Sequence, residues 1–209
     1  MKFLVKIAGG FFSITVLLGC GSLSLISAGK DPLSAEEHLN LGVAYESSGE
    51  LELARREYER ALDKNPELTQ ALINLGNVHY QRGDYSMAEE EYHRALKLSP
   101  QDGDIHNNLA WTCLSQDKFE QAHQAVSQAL SLNTTHRYIY FDTQGVIYHR
   151  EGRYQEAVRS FKEAIRSAPE DSSRFLSEAY SNLAESYRAL GMENEAQEAD
   201  SKAKSLRQD

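Results

Sequence analysis

Cys20, Cys113 and seven histidines (His38, His79, His93, His106, His123, His136 and His149) are the side chains best suited to hold a metal or attack a substrate. Their spacing argues against both roles. No two histidines stand four apart and no His-Glu-x-x-His occurs, so no helix can offer two imidazoles with a base between them. Two cysteines fall short of a four-thiolate metal site or a disulfide framework. There is no GxxxxGKS or GxxxxGKT loop to cradle phosphates and no GxSxG turn to raise a nucleophilic serine. The acidic run Glu89-Glu90-Glu91 reads as a solvated helix face. We therefore expect no catalysis, no metal or other cofactor, and no small-molecule substrate. Charge excludes more: 31 Asp and Glu stand against 22 Lys and Arg, a net of -9. Nucleic acid and anionic headgroups both demand a basic surface that this composition lacks. What remains is recognition by large side chains, above all Trp111 and Tyr80, and it depends on the elements that position them.

The N-terminus reads as an address. Lys2 and Lys6 precede an apolar stretch over residues 7–18 that is short for a membrane span, as a signal peptide would have it. It ends in Leu17-Leu18-Gly19-Cys20, which resembles the lipobox of bacterial lipoproteins. The resemblance implies a signal peptide over 1–19, cleavage before Cys20, and palmitate-like chains on its sulfur and new amine. At about 0.8 kcal/mol per buried methylene, two or three chains make a durable anchor. Gly21 rather than Asp follows the cysteine. By the same resemblance that points to the outer membrane rather than the inner, with the protein facing the periplasm. Residues 20–34, rich in Ser and Gly, read as a tether that spans at most about 3.3–3.6 Å per residue.

From residue 35 onward one pattern repeats. Leu41, Leu75 and Leu109 are 34 residues apart, as are Gly42, Gly76 and Ala110, then Ala54, Ala88 and Ala122, then Tyr58, Tyr92 and Val126. Gly145, Gly152, Ala157, Phe161 and Pro169 continue it after one extra residue, and Ala184, Gly191, Ala196, Asp200 and Ala203 after five more. This resembles the tetratricopeptide repeat, with copies at about 35–68, 69–102, 103–137, 138–171 and 177–207. The resemblance implies an all-α protein over 35–209: a right-handed α-solenoid of five helix pairs. First helices should begin near Ala35, Thr69, Gly103, Tyr138 and Ser173, and second helices near Glu50, Asp84, Asp117, Arg153 and Met192. The extra residues before repeat five should lengthen its first helix, with Ser172 or Ser173 as N-cap. Cys113 falls inside a helix pair, where a buried, inert thiol is expected.

In this family, slots two, five, nine and twelve of each first helix face a concave groove. Here they place Leu39, Ile73, Asn77, Tyr80, Asn107, Trp111, Leu114, Asp142, Val146, His149 and Arg188 there. Large apolar groups on a wet surface mark partner sites, and Trp and Tyr dominate interface energetics. The family's chaperone-tail readers hold a terminal carboxylate with Lys, Arg and Asn. The matching slots here carry no cation, so that function is set aside. The expectation is an envelope scaffold that grips a peptide or helix of a partner protein, for pilus, secretion or polysaccharide-export assembly. The alternative is an adaptor that recruits peptidoglycan hydrolases.

Overall fold

The computed structural model describes residues 31–132 and 134–207. Cys20, the signal peptide and nearly all of the tether lie outside them. Among the described residues ten helices and no strand follow one another: α1 (Ala35–Ser47), α2 (Leu51–Lys64), α3 (Thr69–Gln81), α4 (Tyr85–Leu98), α5 (Gly103–Ser115), α6 (Phe119–Ser131), α7 (Arg137–Arg150), α8 (Tyr154–Ser167), α9 (Ser173–Ala189) and α10 (Glu193–Ser205). Every start falls within two residues of its expected position. None of these helices is long and apolar enough to cross a membrane.

The turn inside each pair is the same device used five times. The chain leaves the first helix through a left-handed residue: Gly49, Gly83, Gly152 and Gly191 at φ between 75° and 80°, and Asp117 at φ 55°. A backbone bond then reaches back five residues, from Glu50, Asp84, Lys118, Arg153 and Met192 N–H to the carbonyls of Tyr45, His79, Cys113, Tyr148 and Tyr187. These bonds satisfy carbonyls that a helix end leaves orphaned.

Within a pair the helices close on a matched contact. A Cβ built on Gly76 would stand 2.7 Å from the Tyr92 ring, and the same holds for Gly42 against Tyr58 and Gly145 against Phe161. Where the ring is replaced by Val126 or Asp200, the glycine is replaced by Ala110 or Ala184. Side-chain size is thus traded across one interface, which keeps the helices at a common spacing. The interior forms three apolar clusters rather than one ball, with Leu96 packed against the first two and Val146 against the last two. No pair covers its own apolar face, so stability is shared along the stack.

Neighbour relations settle which helices are inside. Each second helix packs on the next first helix, and the first helices α1, α3, α5, α7 and α9 also touch one another in turn. The second helices do not. The first helices therefore line the short-radius, concave side of an α-solenoid.

Three departures from the repeat pattern resolve locally. His38, where the repeat usually has a large apolar residue, is fully buried with Nδ1 2.7 Å from Glu57 Oε2, so its ring is paired inside the α1–α2 interface. His106 reaches the Pro100 carbonyl, 3.0 Å from Nε2. The extra turn of α9 is present, and Ser172 stands at its N-cap position, but its hydroxyl donates to the Pro169 carbonyl instead of capping the helix. Ser34 does cap α1, in a reciprocal pair with Glu37. Cys113 is buried, and burial holds its thiol up at about 11, so it is protonated and unreactive at neutral pH.

Candidate interaction groove

The concave side is built from helix faces that the core does not use. In α3, Ala71, Leu72, Leu75 and Val78 point into the stack, leaving Gln70, Ile73, Asn77 and Tyr80 half-buried or exposed toward the hollow. In α5 the equivalent positions hold Asp104, Asn107, Trp111 and Leu114. Between these two helices lies a pocket of about 440 Å³ lined by Asn77, Tyr80, Gln81, Tyr92, Asn108 and Trp111. A neighbouring hollow of about 540 Å³ continues toward α1, lined by Val43, Glu46, Ser47, Gln70, Asn74 and Gln81. Gln81 belongs to both.

The pocket walls are held in place. Trp111 Nε1–H donates to Thr143 Oγ1 at 3.0 Å, tying the indole edge to α7 and leaving its body to the pocket. The Ser115 hydroxyl donates to the Tyr80 hydroxyl oxygen at 3.1 Å. Asn77 Oδ1 accepts from the Tyr92 hydroxyl at 2.7 Å and from Asn108 Nδ2 at 3.3 Å. A side chain fixed by such bonds loses little further entropy when a ligand arrives.

The expected groove residues do not all share this surface. Asn77, Tyr80 and Trp111 line one pocket. Leu39 and Ile73 are half-buried against the first cluster, and Val146 against the second and third. Asp142 and His149 are half-buried on α7, and Arg188 is exposed on α9, bound to Asp200. Leu114 corrects the expectation: it is 0% exposed and belongs to the same cluster as Ile147, so no partner can touch it. Asn107 is nearly enclosed as well, 7% exposed, and its buried Oδ1 has no hydrogen-bond partner. Arg150 explains part of the cover over the end of α5, since its guanidinium donates to the Leu114 carbonyl and to Asp117.

Three pocket residues escape the slot pattern. Tyr92 comes from a second helix, where its ring fills the interior and its hydroxyl emerges on the groove side. Gln81 and Asn108 lie one residue beyond the expected slots. The sequence signal for Tyr92 is its hydroxyl: a ring needed only for packing could be Phe, as at Phe161.

The polar groups differ along the groove. Helices α1, α3 and α5 carry no Lys or Arg, while α7 and α9 carry them only near their ends. Asp142 has its carboxyl raised to about 6 by burial; Asn182 donates to it at 3.4 Å and Glu178 repels its charge. Among the described residues no cluster of three or more His, Cys, Asp or Glu could hold a metal ion.

Comparisons place this arrangement among known proteins. Family models described as tetratricopeptide repeat match residues 25–69 and 39–103, 79–140, and 139–209. A search of curated proteins finds no match. Among solved structures, PilW, described as a widely conserved type IV pilus biogenesis factor, is similar at 20% identity and TM-score 0.75, over 84% of this chain and 78% of that one. PilF of Pseudomonas aeruginosa is similar at 20% identity and TM-score 0.72, over 82% and 76%. YrrB, described as having an unusual peptide-binding site, is similar at 23% identity and TM-score 0.60, over 84% and 87%.

Proposed function

The chain belongs to the tetratricopeptide repeat family, and from that premise we propose that this interaction scaffold holds an extended segment of a partner protein in the groove between α1 and α7. The observation that carries the proposal is the pocket of about 440 Å³ in which Tyr80 and Trp111 stand beside the carboxamides of Asn77, Gln81 and Asn108. Aromatic faces bury an apolar side chain, and carboxamides can both donate to and accept from a peptide main chain. An extended segment leaves its main-chain groups free for such bonds, which a helix does not.

The same proposal places the scaffold on a bacterial membrane, through a lipid on Cys20, facing the periplasm of the outer membrane. Its support is the Leu-Leu-Gly-Cys motif after a short apolar stretch. We look for the partner among components of envelope machines that build pili, secrete proteins or export polysaccharide. The likeness to PilW is one of fold and enters only as a reason to test pilus components first. We read the chain as non-enzymatic, because its groove offers walls for binding, and the serine that meets a histidine there, Ser186 beside His149, is 0% exposed and bonded to the Asn182 carbonyl.

A photo-crosslinking residue at position 80, in cells, tests the groove. The expected product is a covalent adduct with one envelope protein, absent when the same residue stands at Glu90 on α4. Equal adducts from both positions would remove the groove from the proposal. Cys20→Ser tests the anchor: the protein should leave the membrane fraction, and a variant that still sediments with membranes would rule the lipid out.

A further inference from the structure

Elsewhere among the described residues, most buried or half-buried carboxylates meet cations, and Asp102 caps the N-terminus of α5. Glu57 meets His38 and Arg60, Glu89 meets Lys118, Glu91 meets Arg94, and Glu151 meets His123 and Arg153. Two carboxylates on the inner helices do not. Glu46 on α1 accepts only neutral donors, the Tyr58 hydroxyl at 2.6 Å and Gln81 Nε2 at 3.2 Å. Asp142 on α7 accepts only from Asn182, at the long distance of 3.4 Å. A carboxylate withdrawn from water without a cation is costly, and proteins tolerate it where a ligand supplies the missing charge.

The two acids stand on the inner helices to either side of the aromatic pocket, Glu46 on α1 and Asp142 on α7. Gln81, a pocket residue, is bonded to Glu46, and Trp111, another, is bonded across to Thr143 of α7. On the Asp142 side a second observation points the same way. Asn107 holds the equivalent slot on the adjacent helix α5, is 7% exposed, and keeps a buried Oδ1 with no donor. Two under-satisfied acceptors thus hold the same slot on adjacent helices, and no cation of the inner helices bonds to either. Arg150 is held by Asp117, Arg174 by Glu178 and Arg188 by Asp200, and Arg137 at the start of α7 lies over the Phe141 ring.

Resting on the groove reading above, we infer that the occupant carries a basic side chain on each side of an apolar anchor: the anchor sits between Tyr80 and Trp111, one cation meets Glu46, and the other meets Asp142. From α1 to α7 the groove crosses three inner-helix spacings of about 8–10 Å each. At about 3.3–3.6 Å per extended residue, the two basic positions are roughly seven to nine residues apart.

Panning a random peptide library on the full-length protein tests this without knowing the partner. The expected selection is a motif with Lys or Arg at two positions flanking an aromatic or large aliphatic residue, lost on Trp111→Ala. In the best peptide, replacing the Lys on the Asp142 side by norleucine should weaken binding about tenfold to the wild type and not at all to Asp142→Asn. Glu46→Gln should behave likewise for the other Lys, and circular dichroism checks that both variants keep their helices. Selected peptides without basic residues, or a lysine preference that survives both variants, would overturn the inference and leave the groove reading standing. No Trp111-dependent peptide, or Trp111-dependent self-association in its place, would overturn both.

Discussion

The two halves of the concave surface are built on one repeat and differ in what their polar groups face. In α7 and α9 they are taken up within the protein: His149 Nδ1 lies 2.9 Å from Ser186 Oγ, Asn182 reaches Asp142, Arg188 holds Asp200 of α10, and Arg207 beyond α10 donates to Ser177 and Ser181. In α1, α3 and α5 the groove side chains are carboxamides and aromatics around an open pocket. There even Asn77, which accepts two internal bonds through Oδ1, keeps its Nδ2 donor for a ligand. The contrast teaches that equivalent slots do not carry equivalent function. The first half has groups left over for a partner, and the second, the Asp142 carboxylate apart, uses its groups to hold its own shape.

The strongest test of this contrast compares Trp111→Ala with Arg188→Ala. Trp111 offers a large aromatic wall to the pocket, and truncating such a residue costs at least about 2 kcal/mol of affinity, a loss of roughly thirtyfold. Arg188 is exposed and already paired, so its loss should change affinity by less than about 0.5 kcal/mol. Titration calorimetry with the cross-linked partner or a selected peptide gives both values. Equal losses would erase the distinction between the halves.

The pH response should also separate them. Burial lowers the His79 pKa in the first half, against the opposing pull of Asp84 and with Arg55 and Arg82 nearby; Nδ1 has no hydrogen bond to stabilise a charge. The unfolded chain then takes up a proton that the folded chain resists, so this contribution is present above about pH 6.5 and is lost on acidification. Asp142 works the other way. Its carboxyl is raised from 3.8 to about 6, so the folded chain binds the extra proton and stability falls as pH rises from about 4 to 6. Between pH 7 and 5, protection from hydrogen exchange, taken relative to the intrinsic rate at each pH, should rise in α7 and α9 and fall in α3 and α4. Asp142→Asn should abolish the first trend and stabilise the protein at pH 7 by about 1–2 kcal/mol. That lies within the limit of about 3 kcal/mol implied by the shift. No gain would mean that the carboxylate is solvated in solution.

Much of this was legible in the sequence, and what was missed has physical causes. The period of 34 located every described helix to within two residues, because the turn glycines and the small helix-contact residues admit little else. Slot reading failed at Leu114 because it assigns each slot one exposure. The cover over Leu114 comes from the neighbouring α7, whose Arg150 closes over the end of α5. Tyr92 was missed for the converse reason. Its slot is an interior one, yet a tyrosine ring there is long enough to deliver its hydroxyl through to the groove. The lone carboxylates could not be seen at all, since pairing depends on which side chains meet across repeats.

Tyr92→Phe sharpens the comparison on a smaller scale. The ring stays against Gly76 while Asn77 Oδ1 loses its shorter donor bond. Folding stability should fall by about 1 kcal/mol, the net worth of one such bond. Affinity should fall too, because Asn77 is then held only by the longer bond from Asn108. The matching change Tyr58→Phe leaves Glu46 with only the bond from Gln81, and should weaken basic peptides selectively. If both variants bind as the wild type does, the hydroxyls serve the fold alone.

The smallest effect lies at the seam between the halves. Asp117 is the turn residue of repeat three and, among the described residues, the non-glycine residue with positive φ, at 55°. A side chain in that conformation costs about 1–2 kcal/mol, less for Asp, which tolerates it better than most. Its carboxylate also holds Arg150 at 2.7 Å, bridging the first half to the second. That exposed pair contributes about 0.2–1 kcal/mol. Asp117→Gly removes both terms, so relief of strain should outweigh the lost bridge by about 0.5 kcal/mol in chemical denaturation. If stability drops instead, the Arg150 bridge is worth more than an exposed ion pair should be. The halves would then be mechanically coupled through it, and with Arg150 released, solvent should reach Leu114 and quicken exchange at the end of α5. A stability gain with unchanged exchange there leaves the two halves as neighbours that share a core and little else.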